Sequence, residues 1–165
     1  MPVQLHQIVS GGQTGADRAA LDAGMALGIA IGGACPKGRL AEDGPLASRY
    51  PLREITGGYR QRTKTNVVDS DGTVIFFRGV PEGGTEATLA FCIKLKKPYC
   101  LIDINEIRVA RAATLINQFI TTKNIHILNI AGARESRSPG IYAFVLSVLL
   151  TSQQKPAPLA PETQR

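Results

Sequence analysis

The sequence predicts an α/β, Rossmann-like three-layer domain with a mainly parallel sheet. Three observations lead there. Strand-like apolar runs alternate with helical stretches along most of the chain. Those runs are continuously apolar rather than alternating with polar residues, as in strands covered on both faces. Glycine-rich segments recur between a strand and the helix after it, where such folds place their ligands.

Taken in order, "VQLHQIV" reads as the first strand, and Thr14 to Leu27 as a helix that buries Leu21, Met25 and its alanines. "IAIGGA" reads as a short second strand. Cys35 to Gly58 is rich in Gly, Pro and charge, and reads as a long loop with only short regular pieces. Tyr59 to Val68 reads as helix, "TVIFF" as a buried strand, Thr85 to Lys96 as helix and "PYCLIDI" as strand. Glu106 to Thr122 is an amphipathic helix with Ile116, Phe119 and Ile120 on one side, and "IHILNIA" is the last strand. Ser138 followed by Pro139 predicts a helix start, a side-chain cap with proline at the first helical position. That helix runs to about Leu150. Residues 1–150 are expected to form one ligand-binding domain, and 151–165, with Pro156, Pro158 and Pro161, a disordered or extended tail. The final helix, "GIYAFVLSVLL", is apolar nearly all round, so its surplus surface is expected to be buried by the long middle loop or by a second subunit.

Composition narrows the function classes. The chain has 165 residues, 44% hydrophobic and 19% charged, ordinary values for a globular protein. No signal peptide is visible, the longest apolar stretch is too short to span a bilayer, and three cysteines without a CxxC pair point to reduced thiols and the cytoplasm. The net charge of +6 suits an anionic partner. With 5% aromatic residues, no Trp and no basic tract, a small phosphorylated ligand is favoured over nucleic acid.

Three glycine-bearing loops, "SGGQTGADR", "RGVPEGGTEAT" and "AGARESRSPG", each follow a strand and precede a helix. In a parallel sheet all three emerge on one edge. Backbone N–H groups at helix N-termini lack intrahelical partners and carry partial positive charge, which suits an anion. The expected anion site therefore comprises Gly11, Gly12, Gln13, Thr14 and Gly15, then Gly83, Gly84 and Thr85, then Arg134, Glu135 and Ser136. Lys37, Arg39, Arg60, Arg62 and Lys64 add positive charge from the middle segment, of which Lys37, Arg39 and Arg62 are counted as ligand-binding. Asp17 and Asp43 suit hydroxyls or amines of a ligand, and helix capping or turn formation accounts for them equally well. A dinucleotide fingerprint would need glycine where Ser10 stands, and no GK[ST] follows for a Walker A loop. His6 and His126 lack partners at metal-ligand spacing, and no tightly bound metal ion is expected.

The motifs "GGQTGADRAALDAG", "CPKGRLAEDGP", "YPLRE", "GYRQRTKTNVVDSDGTVIF", "GGT" and "AGARESRSPGIY" together resemble the molybdenum cofactor carrier family. That family lies in the circularly permuted branch of the SLOG superfamily, related to the LOG phosphoribohydrolases also called lysine decarboxylase-like. The resemblance runs from the first strand to the last helix. It implies a Rossmann-like fold, a homodimer or homotetramer, a pocket for a phosphorylated small molecule, and molybdenum cofactor (molybdopterin) as cargo. Molybdenum enzymes or cofactor-biosynthesis proteins would then be the partners. The hydrolase relatives carry PGGxGTxxE, whose glutamate serves glycosidic cleavage. Here Thr88 holds that position, and Glu86, two residues earlier, points about 200° away on a helix. Binding is thereby favoured over hydrolysis. A nucleoside 5'-monophosphate phosphoribohydrolase, with Glu86 or Glu135 as acid, and a nucleotide-sensing module are the alternatives.

Overall fold

A computed structural model describes residues 3–154. Its central sheet has five parallel strands in the order β2-β1-β9-β7-β8. These are β1 (Gln7–Val9), β2 (Ala30–Gly32), β7 (Gly72–Phe77), β8 (Tyr99–Asp103) and β9 (Ile127–Gly132). Five helices accompany them: α1 (Ala16–Leu27), α2 (Gly58–Val68), α3 (Gly84–Lys94), α4 (Val109–Lys123) and α5 (Ile141–Ser152). The α/β, Rossmann-like expectation is met, and the last strand lies between β1 and β7.

Alternation along β7 divides the core. Val74 and Phe76 join the main cluster with Ile8, Ile130, Ile116 and Val145, beneath α1, α4 and α5. Thr73 and Ile75 face the other way, towards α3 and its small cluster of Val67, Phe91 and Cys92. All six residues of β7 are buried, which its unbroken apolar run requires.

Several boundaries differ from expectation, each for a tertiary reason. The first strand pairs only from Gln7, and the second expected strand is two, β2 and β3 (Ala34–Pro36). β3 leaves the central sheet and pairs in parallel with β6 (Arg53–Ile55). The middle segment also holds a hairpin, β4 (Leu40–Ala41) and β5 (Gly44–Pro45). It is not a loose loop, because Leu46, Tyr50 and Leu52 bury against Leu21 of α1 and Cys35. α5 begins at Ile141 rather than at Pro139. The Glu135 carboxylate caps it instead, accepting from the N–H groups of Gly140 at 2.6 Å and Tyr142 at 3.0 Å. α5 also continues past Leu150 to Ser152, and residues 155–165 of the expected tail lie outside the described residues.

The apolar circumference of α5 has an explanation within the chain: it is wedged between α1 and α4 and lies on β7. Tyr142 also donates its hydroxyl to Asp22 of α1, and Tyr50 donates to the same carboxylate at 2.6 Å. Its own burial, with that carboxylate beside it, pushes the pKa of the Tyr142 phenol up to about 12. The exposed apolar side chains lie elsewhere, among them Ile93 of α3 with Tyr99 and Leu101 of the edge strand β8.

Candidate functional site

The carboxyl ends of β1, β9 and β7 meet at the point where the strand order reverses, and a cleft of about 170 Å³ opens there. Its walls come from all three glycine-bearing loops: Gln13 and Asp17 from the first, Arg78, Val80 and Glu82 to Thr85 from the second, Ala131 to Arg134 with Arg137 and Ser138 from the third. The convergence expected from the sequence is therefore realised.

The loops play unequal parts. In the first, the N–H groups of Gly12, Gln13 and Thr14 are already met by side-chain acceptors of the same segment. Gly12 N–H donates to Ser10 Oγ at 3.4 Å, Gln13 N–H to Asp17 Oδ2 at 3.3 Å, and Thr14 N–H to Gln13 Oε1 at 3.0 Å. Ala16 N–H donates to the Ala133 carbonyl at 3.2 Å, which locks the first loop to the third. Bare donors for an anion are found instead at the N-terminus of α3. Among the described residues, no acceptor meets the N–H groups of Gly83 and Gly84, and both residues are exposed. Thr85 and Thr88 line the cleft beside them. Thr88 thus faces the cleft from the position of the hydrolase glutamate, while Glu86 is exposed and forms no part of the lining.

Asp17 and Arg62 form the floor. Arg62 Nη1 lies 3.1 Å from Asp17 Oδ2, with side chains only 14% and 7% exposed. α2 carries Arg62 to this place because Asn66, one turn on, seals the helix to β3. Its amide accepts from Ala34 N–H at 2.7 Å and donates to Ala34 O at 3.0 Å. The guanidinium then crosses the first loop at Gly11, where a Cβ would stand 1.5 Å from Nη1. Only glycine leaves that path open. Burial pushes the Asp17 carboxyl upward, against the pull of Arg62 and the Gln13 N–H.

Positive charge at the mouth comes from Arg134 and Arg137, both exposed and both lining the cleft. Arg78 also lines it but is held by Ser138 Oγ at 3.1 Å, Asn105 Oδ1 at 2.8 Å and Pro139 O at 3.0 Å. An apolar stretch of Phe77, Val80, Ala131 and Ala133 completes the walls.

Other expected site residues lie outside this lining. Lys37 is exposed on the middle segment. Arg39 turns inward and donates to the carbonyls of Leu52, Ala47 and Tyr50 at 2.7–3.1 Å, knotting that segment together. Asp43 forms a two-pronged pair with Arg18, both contacts at 3.0 Å. Gly12 supports packing, since a Cβ there would meet Leu46 at 2.6 Å and Leu52 at 2.9 Å. Glu135 serves as the cap of α5. Burial pushes the Cys35 thiol up, which favours the protonated form. Among the described residues no group of three or more His, Cys, Asp or Glu is placed to hold a metal ion.

Glu42, at the tip of the β4–β5 hairpin, carried no signal of its own in the sequence. Its carboxylate accepts from the Thr14 hydroxyl, from Ser136 Oγ at 2.6 Å and from Ser136 N–H at 3.2 Å, with Arg134 Nη1 at 3.8 Å. Glu135 N–H in turn donates to Thr14 Oγ1 at 3.2 Å. Thr14 and Ser136 thus meet outside the cleft, around Glu42. Partial burial works against ionisation of Glu42, but the Ser136 and Thr14 hydrogen bonds and the Arg134 charge outweigh it, so its pKa is lowered. A lowered carboxylate contributes stability above its unfolded pKa and loses it as pH falls through the folded value. The difference in urea midpoint between wild type and Glu42→Gln is therefore expected to narrow below about pH 4. A gap unchanged from pH 6 to pH 3 would contradict this.

Comparison with known proteins places the chain. A search of curated proteins gave no match. Among solved structures, the crystal structure of a putative molybdenum carrier protein from Syntrophus aciditrophicus SB superimposes with a TM-score of 0.89 at 44% identity. The alignment covers 93% of this chain and 97% of that one. Residues 8–152, from β1 through the end of α5, match the circularly permutated YpsA SLOG family. With sheet, loops and cleft all inside that match, the chain belongs to the circularly permuted YpsA SLOG family.

Proposed function

We propose that the chain is a binding and carrier protein for a phosphorylated small molecule of the molybdenum-cofactor type, a pterin bearing a terminal phosphate. One observation carries the reading: the unpartnered N–H groups of Gly83 and Gly84 open α3 into a cleft that also displays Arg134 and Arg137. A phosphate there meets a helix N-terminus, the Thr85 side chain and two guanidinium groups. The heterocycle has Phe77, Val80 and Ala133 to lie against, and Asp17 on the floor to receive its N–H groups. The name given to the Syntrophus aciditrophicus relative supports molybdenum cofactor as cargo. Thr88 in place of a carboxylate, and Glu135 committed to α5, support retention of the ligand over its cleavage. In this reading molybdenum enzymes or cofactor-biosynthesis proteins receive or deliver the cargo, in the cytoplasm. Assembly into a homodimer or homotetramer would cover Ile93, Tyr99 and Leu101.

The test pairs two measurements. Native mass spectrometry of protein from its own host should reveal a phosphorylated heterocycle travelling with it. Titration calorimetry with inorganic phosphate should show Arg137→Ala binding about tenfold more weakly than wild type. An empty protein whose phosphate affinity ignores Arg137 would sink the reading.

A further inference from the structure

The hydrogen-bond donors around Glu42 are those an oxyanion would use. They are two hydroxyls, a backbone N–H and a guanidinium, contributed by the first and third loops, 28 and 94 residues away in sequence. No side chain of the hairpin needs so rich a set merely to turn a corner. Its geometry is fixed separately, by Asp43 held in the fork of Arg18 and by Glu42 N–H donating to Gln13 Oε1 at 2.8 Å. The carboxylate is thus an addition to a hairpin that is already pinned. Arg134 joins this cluster to the cleft, because it lines the cleft while lying 3.8 Å from Glu42. That distance is loose for an ion pair, and the Arg134 side chain is 46% exposed, so its guanidinium is available to a second anion.

We infer that Glu42 is a tethered competitor. Its carboxylate occupies an oxyanion subsite formed by Thr14, Ser136 and Arg134 beside the cleft, and a phosphorylated ligand in the cleft competes with it for the Arg134 guanidinium. The inference rests on the cleft being a phosphate site, as proposed above. Exchange needs only rotation of the exposed Arg134 side chain, because Glu42 is held by Thr14 and Ser136 and the hairpin backbone by Asp43 and Gln13. The two states then differ in which anion Arg134 faces. A carrier gains from this arrangement, since the departing ligand leaves Arg134 facing an internal carboxylate rather than no anion.

Removing the charge should therefore strengthen binding. Glu42→Gln keeps an acceptor for Thr14 and Ser136 but no longer repels an incoming phosphate or holds Arg134. Calorimetric titration with inorganic phosphate at fixed ionic strength is expected to show about tenfold tighter binding for Glu42→Gln than for wild type. Wild type that binds while the variant binds equally or less well overturns the inference and leaves the proposed function standing. Failure of both proteins to bind, with native circular dichroism, overturns both. Should Glu42→Gln not fold, phosphate titration of wild type followed by amide NMR decides. Ser136 and Glu42 amides shifting with the same constant as Gly83 and Gly84 supports the competitor, and shifts confined to residues 83–85 overturn it.

Discussion

Replacing Arg62 by Met is expected to destabilise the protein by about 3–5 kcal/mol at pH 7, because it strands the Asp17 carboxylate without its counter-charge. Met fills much of the volume, so the loss measures charge rather than a hole. Asp17, in the first turn of α1, is 7% exposed, with its remaining hydrogen bond coming from the Gln13 N–H. Its pKa is already raised in the native protein, and loss of Arg62 raises it further. A raised carboxylate gives stability that is full below the unfolded pKa and is lost as pH rises through the folded one. The deficit of Arg62→Met should accordingly shrink on acidification towards pH 4. The double variant with Asp17→Asn, which has no charge to strand, should recover most of it. Urea unfolding at two pH values reads both effects. A single variant within about 1 kcal/mol of wild type, or one that Asp17→Asn does not rescue, would remove the buried pair from the account.

Gly15→Ala is expected to be as damaging, at more than about 3 kcal/mol, for a steric reason. The residue has φ 77 and ψ −129, a conformation close to reserved for glycine. A Cβ there would stand 2.4 Å from Ala133 O and 2.8 Å from Glu135 N, both backbone atoms that no rotamer change can move. α1 and the third loop would be prised apart where Ala16 N–H meets Ala133 O, taking one wall of the cleft with them. Gly28 is the internal control. It also has positive φ, at 69°, yet a Cβ there meets nothing within 4 Å. Gly28→Ala should cost only about 1 kcal/mol. Equal midpoints for the two variants would show that the close approach at Gly15 is not what matters.

What the sequence made legible was the periodic part. Unbroken apolar runs announced the sheet, and glycine clusters announced three loops that do share one cleft. What it hid were side chains whose partners lie far along the chain. Glu42 looks like half of an ordinary turn, and its hydrogen-bonding partners are reached only after folding. Arg39 and Glu135 have the chemistry of ligand-binding groups, but one knots carbonyls and the other caps a helix. Residue type announces what a group can bind, and tertiary structure decides whether backbone has already claimed it. The same applies to Gly12, which marks a close approach in the sequence without saying that Leu46 and Leu52 are what approach.

The position of β9 bears on how the protein is made. The strand that joins β1 to the β7–β8 pair is the last of the sheet to leave the ribosome. Until residues 127–132 emerge, β1–β2 and β7–β8 have no common neighbour, and each pair presents a naked edge to solvent or to another nascent chain. Local helices can form early, but the five-stranded sheet is complete only once β9 lies between the two halves. Slower synthesis therefore lengthens the interval in which both edges stand open, after β8 has been made and before β9 arrives.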